Sequence, residues 1–183
     1  MAQLLPLALH VAAALHYMAQ AGFVHLDVKP DNIVMGVPPR LIDLSVARTF
    51  ERAVRVTGLV GTDAYMAPEQ CDPQRLAGAI GPPADVWGLG ATLFHAVAGS
   101  VPFPREEGAR HAEDPRVRFP QLVEGPVDLP SSAPRALTDL IESALAFEPA
   151  ARPTAAELAI GLEPLVAALP RRMILGRRGI ENR

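Results

Sequence analysis

Apolar residues recur at helical spacing in four stretches of the chain. Over 3–20, Leu4, Ala8, Val11 and Leu15 form one stripe with Leu5, Ala12 and Ala19 beside it, and Gly22 follows as a terminator. A second helix is predicted over 83–99, after the Pro82-Pro83 breaker, with Val86, Leu89, Leu93 and Val97 facing inward. Two more fit 134–147 (Leu137, Leu140, Ile141, Leu145) and 154–168 (Ala155, Leu158, Leu162, Leu165). Two short apolar runs, NIVM at 32–35 and RLID at 40–43, are joined by GVPP and predict a small β-hairpin. Residues 44–66 keep no period and read as a long functional loop; the proline-rich stretch 100–132 leaves room for only a short helix. No internal repeat is present. The expected fold class is α+β, mainly α.

Composition narrows the class without naming a function. The 183 residues are 49% hydrophobic and 20% charged, enough to bury the core of one ordinary domain. A net charge of 17 − 20 = −3 gives no general argument for nucleic acid or an acidic membrane as a partner, and no nucleic-acid partner is expected. The run LLPLALHVAAAL at 4–15 lacks a basic leader, carries His10 and is too short to span a bilayer, so it reads as a packed helix and no membrane span is expected. Cys71 is the only cysteine; it can form no internal disulfide, and a reducing, cytoplasmic location is expected. The tail PRRMILGRRGIENR carries five Arg and reads as a solvated end. Of the 17 basic residues, 16 are Arg and one is lysine, Lys29.

The chemistry concentrates around that lysine. His25, Asp27, Lys29 and Asn32 fall within eight residues, between a helix and a strand, and Asp43 closes RLID. A hairpin between Asn32 and Asp43 would return the two side chains to one place, where an amide oxygen and a carboxylate are hard ligands suited to Mg²⁺. Asp27 and Lys29, two apart on an extended loop, can share a side: the carboxylate orients a hydroxyl proton while the ammonium neutralises a phosphoryl group. Other features carry less. GLGATL at 88–93 begins like a phosphate loop but lies inside a predicted helix, and His10 and His16, six apart, face different ways. Cys71 reads as a packed thiol.

The string HLDVKPDN resembles the catalytic-loop signature of protein kinases, His-Arg-Asp-x-Lys-Pro-x-Asn. DLS at 43–45, APE at 67–69 within GTDAYMAPEQ, DVWGLG at 85–90 and ARPT at 151–154 follow in that family's order. The chain therefore resembles a bacterial serine/threonine kinase of eukaryotic type over residues 3–169. The resemblance implies ATP and Mg²⁺ as cofactors and a protein Ser/Thr hydroxyl as acceptor. It implies that Asp27 is the catalytic base, that Lys29 touches the transferring phosphate, and that Asn32 and Asp43 hold metal. Thr62 would lie beside the base. His25 would brace the loop, Asp85 would hold its backbone from a helix, and Glu69 and Arg152 would form a structural ion pair.

The chain also departs from the family. Only 24 residues precede His25, and one helix accounts for them; neither Gly-x-Gly-x-x-Gly nor a second lysine is present. The expectation is a large lobe alone over 1–169, with an Arg-rich tail over 170–183, incomplete without a small lobe and inactive by itself. A hydrophobic scar is expected beside the first helix and the hairpin. The other reading is a non-catalytic, pseudokinase-like binding module. Leu26 stands where the family grips a phosphorylated activation loop with arginine, which weakens Thr49 and Thr57 as regulatory sites. Ser45 stands where a glycine follows the metal-binding Asp, so a backbone restriction is expected there.

Overall fold

The computed structural model describes residues 1–76 and 80–170. Its elements, in chain order, are α1 (Leu4–Gln20), β1 (Phe23–Val24), β2 (Ile33–Val34), β3 (Arg40–Leu41), β4 (Arg48–Thr49), α2 (Phe50–Ala53), α3 (Pro68–Cys71), α4 (Pro82–Ala98), α5 (Pro115–Arg118), α6 (Arg135–Ala144) and α7 (Ala155–Ala167). Single 3₁₀ turns at Pro30–Asn32 and Asp63–Tyr65 flank the region of interest.

Helix α4 is the axis of the molecule. It starts with prolines at its first two positions, where a missing N–H costs no intrahelical bond, and ends on Gly99 in the left-handed region. From Ala84 through Phe94 every residue is buried, as expected of a helix apolar on all sides. Around it pack α1, through Leu5, Ala8, Val11, Ala12 and Leu15, and α6, through Leu137 and Ile141; α7 lies mainly on α1 and brings in Leu158 and Leu162. These four helices carry the one large core, and all four sit within a few residues of their expected bounds. Helix α7 opens with a reciprocal cap, in which the Thr154 hydroxyl accepts the Glu157 N–H and the Glu157 carboxylate accepts the Thr154 N–H.

The hairpin is present but shorter than the apolar runs. β2 pairs antiparallel with β3 in the register Ile33↔Leu41 and Val34↔Arg40. A second ladder encloses it, with Phe23 opposite Thr49 and Val24 opposite Arg48. Residues 44–66, expected as loop throughout, thus contain β4, α2 and a 3₁₀ turn. Two-residue strands and single-turn helices are too short to show a period, which is why the pattern of side chains misses them. Among the described residues no helix is long and apolar enough to cross a membrane. The Arg-rich tail beyond Pro170 lies outside the described residues.

Candidate active site

The loop between β1 and β2 is held from below by α4. Asp85, fully buried in the first turn of that helix, accepts the His25 N–H and the Leu26 N–H, each at 2.7 Å, one per carboxylate oxygen. Burial pushes the Asp85 carboxyl up to about 7, against the opposing pull of these two N–H groups. Leu26 takes φ = 67°, a left-handed conformation costly for a branched side chain, and is fixed from both ends. Its N–H is on Asp85, and its carbonyl accepts Gln70 Nε2 at 2.9 Å. The Leu26 side chain is buried in the core.

His25 is fully buried. Its Nδ1 accepts the Asp27 N–H at 3.3 Å, and its Nε2–H donates to the Ile42 carbonyl at 3.1 Å. Both bonds are satisfied only by the neutral ring protonated on Nε2, and burial lowers its pKa from the ordinary histidine value. One imidazole therefore links the loop to the strand that precedes Asp43.

Four polar side chains meet above this brace. The Thr62 hydroxyl donates to Asp27 Oδ1 at 2.7 Å and accepts from Lys29 Nζ at 2.7 Å. Lys29 Nζ also lies 2.9 Å from Asp27 Oδ2. Asn32 Nδ2 donates to Asp27 Oδ2 at 3.0 Å and to the Asp27 carbonyl at 2.8 Å. Both amide hydrogens of Asn32 are thereby used, and its Oδ1 is left as an acceptor.

Close backbone approach makes this meeting possible at two glycines. A Cβ on Gly61, at φ = 118°, would lie 2.6 Å from the Leu26 carbonyl oxygen; one on Gly88, within α4, would lie 2.9 Å from both the Cβ and the carbonyl oxygen of Val28. The glycines of GLGATL therefore serve packing, as the helical reading expects.

Asp43 stands outside that network. The Ile42 N–H donates to the Asn32 carbonyl at 2.8 Å, which extends the β2–β3 register and brings Asp43 to the hairpin end. Its exposed carboxylate bonds to Ser45 instead, with Ser45 N reaching Oδ1 at 3.1 Å. The Ser45 hydroxyl first, and then this N–H, hold the Asp43 carboxyl below its ordinary value. The restriction expected at Ser45 falls two residues earlier: Asp43 itself has φ = 64°, a region that aspartate tolerates better than most residues.

Glu69 and Arg152 form a fully buried bidentate pair, at 2.7 and 2.9 Å. Arg152 also donates to the carbonyls of Ala146, Phe147 and Pro83, and its guanidinium lies 4.9 Å from the Trp87 ring centroid. The Cys71 thiol is buried, which raises its pKa and leaves it inert.

Sequence reasoning missed several polar residues that hold this segment. Gln70 bridges Leu26 and Val60, whose carbonyls both accept from its Nε2 at 2.9 Å. Tyr65 Oη and His95 Nδ1 are 2.7 Å apart. Asp63 is gripped by Arg105 and Arg118. Gln70 had a local signal, directly after Ala-Pro-Glu; the arginines, in a stretch without periodicity, had none.

Beside the site, the start of α1, the hairpin and the end of α4 enclose an open apolar cavity of about 950 Å³, with Leu4, Leu7, Ile33, Met35 and Ala96 in its wall. The Thr92 hydroxyl on this wall is buried without a partner among the described residues. Met35, Val37, Ile42 and Leu44 are exposed nearby along the hairpin.

A family model described as the protein kinase domain matches residues 2–160. The serine/threonine-protein kinase AfsK of Streptomyces coelicolor is 40% identical over 162 residues, covering 86% of this chain and 19% of its own length. The probable serine/threonine-protein kinase PkwA of Thermomonospora curvata is 36% identical, covering 80% of this chain and 18% of its own. For the serine/threonine-protein kinase PknK of Mycobacterium tuberculosis the figures are 35%, 83% and 13%. The chain thus spans less than a fifth of the length of these relatives. With a helical body built on α4 and the ordered landmarks from His25 to Arg152, it belongs to the protein kinase family, as a large lobe of the bacterial, eukaryotic-type serine/threonine kind.

Proposed function

We propose that this lobe supplies the acceptor side of ATP-dependent phosphoryl transfer to serine or threonine hydroxyls of protein substrates, in the cytoplasm. The observation that carries the reading is the network joining Asp27, Thr62, Lys29 and Asn32. Asp27 orients the incoming hydroxyl and takes up its proton as the oxygen attacks the γ-phosphorus and the bond to the β-phosphate oxygen breaks. Lys29 neutralises charge on the transferring group, and Thr62 holds the carboxylate and the ammonium in one geometry.

The donor set fits Mg²⁺: among the described residues the Asn32 amide oxygen has no partner, and Asp43 offers an exposed carboxylate held ionised by Ser45. One amide oxygen and one carboxylate suit an ion held by one or two protein oxygens and by substrate phosphates rather than by a protein cage. When bound, Mg²⁺ neutralises charge building on the phosphate oxygens.

A clamp for the α- and β-phosphates has no candidate in these 183 residues, since Lys29 is the only lysine and no glycine-rich loop is present. The reading therefore requires a small lobe, and the open apolar cavity beside the site supports a further packed element there.

The test uses labelled ATP, Mg²⁺ and a generic Ser/Thr protein substrate. The 183-residue chain alone should transfer phosphate negligibly, because misplacement by about 1 Å already costs about 100-fold. Activity should appear once a small lobe is supplied and vanish with Asp27→Asn. Transfer indifferent to that substitution would overturn the assignment of Asp27. Tight partner binding without transfer, small lobe present, would favour the binding-module reading.

A further inference from the structure

The segment carrying Thr62 is also tied down from the other side. Asp63 follows Thr62 directly and opens a 3₁₀ turn. Arg105 Nη1 lies 2.9 Å from its Oδ2, while Arg118 reaches Oδ1 and Oδ2 through Nη2, each at 3.2 Å, and Oδ2 through Nε at 3.3 Å. Gln121 Nε2 donates to the Asp63 carbonyl at 2.9 Å and to the Met66 carbonyl at 3.1 Å. Arg118 is steadied in turn over the buried Phe119 ring, 4.9 Å from its centroid. Three side chains from 105–121 therefore hold residues 63–66, across a cleft of about 360 Å³ that Glu106, Glu107 and Arg110 also line.

Isolated surface ion pairs contribute little, but this one is forked, networked and half-buried, conditions under which such pairs matter. The grip passes to Thr62 through the backbone, because the Thr62 carbonyl accepts both the Tyr65 N–H, at 2.8 Å, and the Met66 N–H, at 3.1 Å. Upstream, Gln70 holds Val60. Meanwhile the position from which an arginine could have gripped a phosphorylated loop is Leu26, turned into the core.

We propose that Asp63, gripped by Arg105 and Arg118, is a built-in positioning latch that holds Thr62 against Asp27, so that this segment is ordered without phosphorylation. A carboxylate already in the chain does the ordering that an added phosphate would otherwise do. Asp63 touches no reacting atom and is a positioning residue. The inference rests on the kinase reading only for the role of Thr62.

The test is amide hydrogen exchange, read by NMR on the full 183-residue chain made free of phosphate. Exchange at Tyr65 and Met66 should accelerate at least about 10-fold in Asp63→Asn and in the double variant Arg105→Gln/Arg118→Gln. Arg118→Lys, which keeps the charge but loses the fork, should fall between these and the unaltered chain. Core amides of α1 and α4 should not change, and Thr49→Ala and Thr57→Ala should leave every rate as it was. Unchanged rates at Tyr65 and Met66, or a uniform rise through the core, would overturn the latch. So would protection that appears only after Thr57 is phosphorylated. No phosphoryl transfer enters the measurement, so its failure is distinguishable from failure of the proposed activity.

Discussion

His25 makes two hydrogen bonds that only one protonation state satisfies, so its titration reports directly on the loop between β1 and β2. Its pKa is lowered in the fold, whereas the unfolded chain titrates near 6.5. The contribution is complete above that value and is lost as pH falls below it, because only the unfolded state then gains the proton. Imidazole NMR should show His25 still mainly neutral and protonated on Nε2 at the pH where an unfolded-chain histidine is half protonated. A midpoint at or above the unfolded-chain value would refute the brace. Asp43 shows the corresponding behaviour for an acid: its lowered pKa makes its contribution present above the ordinary carboxylate range and lost as pH falls through the folded value. Ser45→Ala removes the hydroxyl, the larger cause, and should raise the Asp43 midpoint measured by carbon-13 NMR. For Asp85, the amide of Asp85→Asn would set an NH₂ against one of two backbone N–H groups now bonded at 2.7 Å. Leaving a buried donor unpaired costs about 1–3 kcal/mol, which urea denaturation can resolve.

Among elements, the contacts that matter join helices to loops. Gly88 on α4 faces the Val28 backbone, which belongs to the loop and cannot swing aside. Gly88→Ala should therefore cost about 1–3 kcal/mol by overpacking and loosen the hydrogen bonds at Asp27, whereas an alanine at an open helix glycine would stabilise. The pair Glu69–Arg152 ties α3 to the turn before α7, and it is fully buried. Glu69→Gln should cost about 3–5 kcal/mol in denaturation, since it strands a buried guanidinium. Replacing both partners with apolar residues should recover only part of this, because the carbonyls of Ala146, Phe147 and Pro83 would lose their donor as well.

At the scale of the whole molecule, the helical body is legible in the sequence. α1, α4, α6 and α7 follow from the recurrence of Leu, Val, Ile and Ala at helical spacing, because a stripe of that width can be buried only against another apolar face. Local spacing also determined the identities at the site: His25, Asp27, Lys29 and Asn32 lie within eight residues, and few backbone paths separate them. Tertiary structure decided the rest. Thr62 reaches Asp27 across 35 positions and Asp85 reaches the loop across 60, distances over which periodicity carries no information and only the family resemblance gave an expectation. Arg105, Arg118 and Gln121 lie in a proline-rich stretch with no pattern to mark them, and their partner became evident only when the chain brought them to Asp63. The conformation of Asp43 was likewise not written in the pattern: the left-handed residue is Asp43, directly after Ile42, whose carbonyl and N–H are bonded to His25 and Asn32, and not Ser45. Which side chains are apolar, and how often, is written along the chain; which polar atoms meet depends on how the buried helices stack.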